Sequence, residues 1–118
     1  MHPRRPNLSM SQVTVLRRRA SELAFLGKNK KAARLYEQIL ELAPSDPQIA
    51  LKLGETRRKT GDLPGAQSAY ERAAALFNAI GLDTKADAAW RMAQELQYEQ
   101  EQPTPVELPW WKRWFGNA

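Results

Sequence analysis

The sequence predicts an all-α fold, an α-solenoid of antiparallel helical hairpins with about two units and a C-terminal capping helix. Three observations predict it. The segment 35–42 (LYEQILEL) recurs 34 residues later as 69–76 (AYERAAAL). The turns before these segments repeat at the same spacing, Gly27 with Gly61 and Ala32 with Ala66, as does Ala20 with Gly54 upstream. No segment alternates apolar and polar residues with the two-residue period of a strand. A fixed period of this length means stacked helical pairs, each too small to bury its apolar face alone.

Residues 1–8, with Pro3 and Pro6, read as a flexible lead-in, and 9–101 as the helical domain. The first helix is expected to begin near Ser9 or Ser11, because Ser9 and Gln12 have the spacing of a capping box. Asn29 is the expected cap of the second helix, which ends before Pro44. Asp46-Pro47 starts the third, a capping residue followed by proline at the first helical position. Gly61-Asp62-Leu63-Pro64 turns the chain into the fourth. Thr84 with Asp87 is expected to cap a fifth helix over 84–101, whose Ala86, Ala89, Trp90, Ala93 and Leu96 form one apolar stripe.

Gly81, Ala86, Trp90, Ala93 and Leu96 echo Gly61, Ala66, Tyr70, Ala73 and Leu76 at an offset of 20. That offset is too short for another complete pair, so the last helix is expected to stand alone, pack on the one before it and close the stack. Small residues at Ala20, Ala32, Gly54 and Ala66 let helix axes approach where they cross. Tyr36 and Tyr70 each fill a wider inter-helix space with one ring. Gly27 and Gly61 are expected to end their helices at positive φ, which glycine adopts without steric cost.

These positions resemble the tetratricopeptide repeat. Residues 47–80 supply Leu53, Gly54, Gly61, Ala66, Tyr70 and Ala73; residues 13–46 supply Leu16, Ala20, Leu23, Gly27, Ala32, Tyr36 and Pro44. The chain departs from the family pattern at Arg19, where leucine is usual, at Arg57, where an aromatic is usual, and at Asn78, in place of a second proline. The resemblance implies a concave groove lined by the first helix of each pair and a role in holding other proteins. Carried over position by position, the groove would use Arg17, Ser21, Ala24 and Phe25 from the first repeat. The second would add Gln48, Leu51, Lys52, Glu55, Arg58 and Lys59. Such a groove is similar to those that take acidic or mixed peptides, with Arg17, Lys52, Arg58 and Lys59 meeting carboxylates. Ser21 and Lys52 stand where chaperone-binding members carry asparagine, which argues against chaperone tails as ligands.

Composition narrows the function further. At 118 residues the chain has room for one domain with tails. It has no cysteine, which removes disulfide and thiolate chemistry and fits a reducing, cytoplasmic setting. No apolar run approaches the ~20 residues needed to span a bilayer, and Arg17-Arg18-Arg19 interrupts any secretory signal region. The sole histidine, His2, lies in the lead-in, and neither metal-ligand spacing nor a phosphate-binding glycine loop is present. No enzyme, metal or cofactor is expected. The net charge of +5 is uneven. Arg4, Arg5, Arg17, Arg18, Arg19, Lys28, Lys30 and Lys31 crowd 1–31, whereas Glu95, Glu99, Glu101 and Glu107 occupy 94–107 without a base. A basic entry and acidic exit either solvate two faces or draw an anionic partner to the N-terminal end.

Residues 102–118 are a Pro-rich linker, with Pro103, Pro105 and Pro109, followed by an aromatic and basic tail. Trp110, Trp111, Lys112, Arg113, Trp114 and Phe115 place four aromatics and two cations in six residues. Leaving so much aromatic surface in water costs several kcal/mol at ~25 cal/mol per Å², so the tail is expected to rest on something. A membrane interface, a partner's groove, the protein's own repeats or those of a second copy, and single-stranded nucleic acid all fit. The leading expectation is a non-enzymatic adaptor or assembly factor whose groove holds one protein while the tail attaches it to a partner or, peripherally, to an anionic membrane. The alternatives are an RNA- or ribosome-associated protein using the basic N-terminal third, and an oligomer formed by tail-in-groove exchange.

Overall fold

A computed structural model describes residues 6–102. Among them the chain forms five helices: α1 (Pro6–Phe25), α2 (Asn29–Leu42), α3 (Pro47–Lys59), α4 (Leu63–Ala79) and α5 (Asp83–Glu101). No strand occurs among these residues. Each helix packs on the next in chain order, so the array grows by local contacts, as a helical solenoid does.

The turns explain where the helices start. Gly27, Gly61 and Gly81 have φ of 78°, 86° and 79°. In each case the residue after the glycine sends its N–H back to a carbonyl five residues earlier: Lys28 to Leu23 at 2.8 Å, Asp62 to Arg57 at 3.0 Å, and Leu82 to Phe77 at 2.9 Å. This closes the preceding helix in a Schellman-type turn. It also makes that residue the N-cap of the next helix. Of the three, only Asp62 has a side chain that accepts from the helix, from Gly65 N–H at 3.0 Å.

Three expected caps are corrected by this geometry. Asn29 is the first residue inside α2, behind Lys28, and its Oδ1 is buried without a hydrogen-bond partner. Thr84 lies inside α5, which begins at Asp83 behind Leu82 and has no side-chain cap. Ser9 and Gln12 lie within α1, which already begins at Pro6 inside the expected lead-in, with proline at a position that needs no N–H donor. Asp46 caps α3 as expected: its Oδ1 accepts from Gln48 N–H at 3.1 Å and Ile49 N–H at 3.2 Å.

The core is built from small residues at crossings and rings between them. Ala20, Ala32, Ala50, Ala66 and Ala73 are fully buried, and Tyr36, Tyr70, Phe77, Ile39 and Leu96 fill the space around them. At Gly54 a Cβ would stand 3.0 Å from the Tyr70 ring carbons Cδ1 and Cε1. The close approach of α3 and α4 therefore favours glycine there, since a Cβ would need the Tyr70 ring to shift. On α5, Ala86, Ala89, Ala93 and Leu96 are buried. Trp90, expected in the same stripe and matched to Tyr70, is instead 49% exposed, whereas Tyr70 is 1% exposed. The difference is that Tyr70 lies between two helices, while the outer side of α5 has no further described helix to cover it.

Candidate functional site

Helices α3 and α5 face a common cleft above α4. The cleft, of about 340 Å³, is walled by Gln48, Leu51 and Glu55 on one side and by Lys85, Ala88, Ala89 and Met92 on the other. Tyr70 and Phe77 of α4 form its floor. Three wall pairs, Gln48 with Lys85, Leu51 with Ala88 and Glu55 with Met92, are related by a constant step of 37 residues. Three extra residues amount to almost one helical turn, so α5 presents the same face that α3 does. It lines the groove as a first helix would.

Of the groove residues expected from sequence, Gln48, Leu51 and Glu55 line this cleft. Lys52 is exposed and pairs loosely with Glu55 at 3.8 Å, one turn along the same helix. Arg58 leans across to Glu99 of α5 at 3.7 Å. Lys59 is exposed at the end of α3. Arg17 does not offer a free cation: its Nη2 donates to Asp46 Oδ2 at 2.5 Å, joining α1 to the cap of α3. Ser21 is exposed and Ala24 half-buried on α1, while Phe25 is 91% exposed at the end of that helix. The sequence reading missed Lys85, Ala88 and Met92. The step of 37 was the available signal, hidden because α5 was aligned with α4 rather than α3.

The two ring-filled spaces are linked electrostatically. Burial pushes the Tyr36 and Tyr70 phenols above their ordinary value of 10.0, and the Glu55 carboxylate raises both further. Arg17 works against this at Tyr36, and Arg58 at Tyr70, where Glu95 adds to the rise. Glu55 thus acts on both tyrosines. Lys85 Nζ lies 5.8 Å from the centre of the Phe77 ring, a distance at which cation and ring attract. The groove is therefore an apolar slot with both signs of charge at its rim.

Among the described residues no group of three or more His, Cys, Asp or Glu side chains could hold a metal ion. No described helix is long and apolar enough to cross a membrane. His2 and the tail residues Trp110, Trp111, Lys112, Arg113, Trp114 and Phe115 lie outside the described residues, as do Arg4 and Arg5 of the basic N-terminal third. Arg18 and Arg19 of that third are exposed on α1.

Stacked helical pairs and a 34-residue period define a helical-repeat protein. A family model for the tetratricopeptide repeat matches residues 13–56, and this match and the all-helical fold support a likeness to that family. Such repeats generally mediate protein–protein interaction. Over 47 residues, 40% of this chain, it is 43% identical to the protein adenylyltransferase Fic of Drosophila erecta. Over 38 residues it is 50% identical to the protein of the same name from Drosophila melanogaster. The matches span only 10% and 8% of those proteins. They mark a shared short segment, and the activity in that name is not carried to this chain.

Proposed function

We propose that the α3–α5 cleft holds a polypeptide segment of another protein, and that the chain acts as a non-enzymatic adaptor in docking or assembly. The observation that carries this reading is the cleft itself: an apolar floor of Tyr70 and Phe77 between walls that repeat at Gln48/Lys85, Leu51/Ala88 and Glu55/Met92. Leu51, Ala88 and Met92 suit an apolar anchor side chain. Lys52, Lys59 and Lys85 suit acidic neighbours of that anchor, and Glu55 suits one basic residue, so the ligand is a segment of mixed charge.

The test fills the cleft without disturbing the core. Ala88 is exposed on the wall, so Ala88→Arg should leave the helices intact by circular dichroism while blocking entry. Peptides selected from a displayed library on the wild-type protein, then measured by fluorescence polarisation, should lose binding to the variant. Selected peptides that bind both proteins equally would show that the cleft is not the site.

A further inference from the structure

The side of the array formed by α2 and α4 carries a second repeated feature. Between α2, α3 and α4 runs a groove lined by Glu37, Leu40, Glu41 and Pro44 of α2, by Leu53 and Arg57 of α3, and by Ser68, Ala69 and Arg72 of α4. A step of 34 residues carries Glu37, Leu40, Glu41, Pro44 and Leu53 onto Glu71, Ala74, Ala75, Asn78 and Asp87. Those five residues line another groove, between α4 and α5, together with Ala86 and Trp90. Two of its walls are therefore images of the first groove. The third wall has no counterpart among the described residues: the same step carries Ser68, Ala69 and Arg72 onto Gln102, Pro103 and Val106, beyond the end of α5, and three prolines fall within 102–109.

We propose that the segment Trp110–Phe115 folds back into this α4–α5 groove and supplies that third wall. The groove, of about 280 Å³, has room for a large ring. Where the first copy has Leu40, Glu41 and Pro44, this one has Ala74, Ala75 and Asn78, so its floor has lost bulk, and the half-exposed Trp90 ring stands at its rim. Charge agrees as well. In the first copy the third wall brings Arg72, whose Nη2 donates to the Pro44 carbonyl at 3.0 Å just beyond the end of α2. In the second copy Glu71, Asp87 and the C-terminal end of α4 await a cation, and Lys112 and Arg113 bring two.

The reach fits too. Going back from Gln102 to the level of 86–90 along α5 takes roughly 18–24 Å at 1.5 Å per residue. The spacer 103–109 covers roughly 22 Å when extended as its prolines favour. The tail thus completes the stack in place of the external second attachment expected from the sequence. This inference does not rest on what the α3–α5 cleft binds.

The absence of native cysteine allows a direct test on the full chain. Asn78→Cys with Gly116→Cys places one thiol in the groove and one just past Phe115; Lys31→Cys with Gly116→Cys is the control, at the other end of the array. Under mild oxidation at high dilution the first pair should close within a single chain roughly tenfold faster or more, as expected for a raised effective concentration. Adding Ala75→Arg, at an exposed position in the groove, should abolish that advantage while the circular dichroism spectrum is unchanged. Equal rates for the two pairs, the result expected if the tail belongs on a membrane or another protein, overturn the proposal. So does a bond that forms only between chains, or one indifferent to Ala75→Arg.

Discussion

The guanidinium of Arg57 grips Glu37 across the groove between α2 and α4, Nη2 to Oε1 at 2.8 Å, while its Nη1 donates to the Gly65 carbonyl at 3.1 Å. One side chain of α3 thereby ties the middle of α2 to the first turn of α4. The family pattern usually has an aromatic at this position, and the structure shows what replaces its packing: a forked cation with two acceptors. Because the pair is partly exposed, its value is modest. Arg57→Ala should lower stability by about 1 kcal/mol, the range of a charge-assisted bond plus a screened ion pair. Urea titration of Arg57→Ala, Glu37→Ala and the double variant would isolate the coupling. Strict additivity of the two single effects would remove the link.

Gly54 should not tolerate a side chain. A Cβ there would press on the Tyr70 ring at 3.0 Å, so overpacking of about 1–3 kcal/mol opposes the ~1 kcal/mol that alanine gains over glycine inside a helix. Gly54→Ala is expected to be net destabilising, read as a lower urea midpoint. A rise in the midpoint would mean that α3 and α4 separate freely.

The corrected caps make a paired prediction. Asp46→Ala removes two helix-capping acceptor contacts and the partner of Arg17, and should cost about 1–2 kcal/mol. Thr84→Ala removes no cap and should stay within about 0.5 kcal/mol of wild type. Asn29→Ala deletes a buried acceptor without a partner and should leave stability equal or higher by up to about 1 kcal/mol. Similar losses in all three variants would contradict the helix starts described above.

Alkaline pH should weaken the fold through the two tyrosines. Their folded-state pKa values lie above the ordinary 10.0, by burial first and by Glu55 second. The unfolded chain therefore gives up these protons before the folded one does. Stability from this source is fully present below the ordinary tyrosine value and is lost as pH rises through the raised values. Melting temperature plotted against pH should fall beyond about pH 10, and less steeply when Tyr36 and Tyr70 are both phenylalanine. Parallel curves for the two proteins would exclude the tyrosines as the cause.

Much of this architecture was legible because repetition compares the chain with itself. Tyr36 and Tyr70, Ala32 and Ala66, and Gly27 and Gly61 announce their roles by recurring at one spacing, and the structure buries the first two pairs and gives the third positive φ. Capping polar residues were less legible. A turn that places the N-cap directly after glycine overrides the local preference of Asn29 and Thr84 for that role, and only Asp62 falls where the turn needs it. The groove was half legible. Positions on α3 followed from the period, but α5 enters at a step of 37, and Arg17 is claimed by Asp46, a tertiary pairing that no local pattern reveals.

The Arg17–Asp46 bridge joins α1 to the head of α3. On the function proposed above, a visiting chain would meet the short bay beside α5, with room for only a few side chains. Few buried anchors set against the lost freedom of the visitor favour brief occupancy and rapid turnover. A durable complex would then need a further contact elsewhere on the visitor, or several such bays acting on one strand.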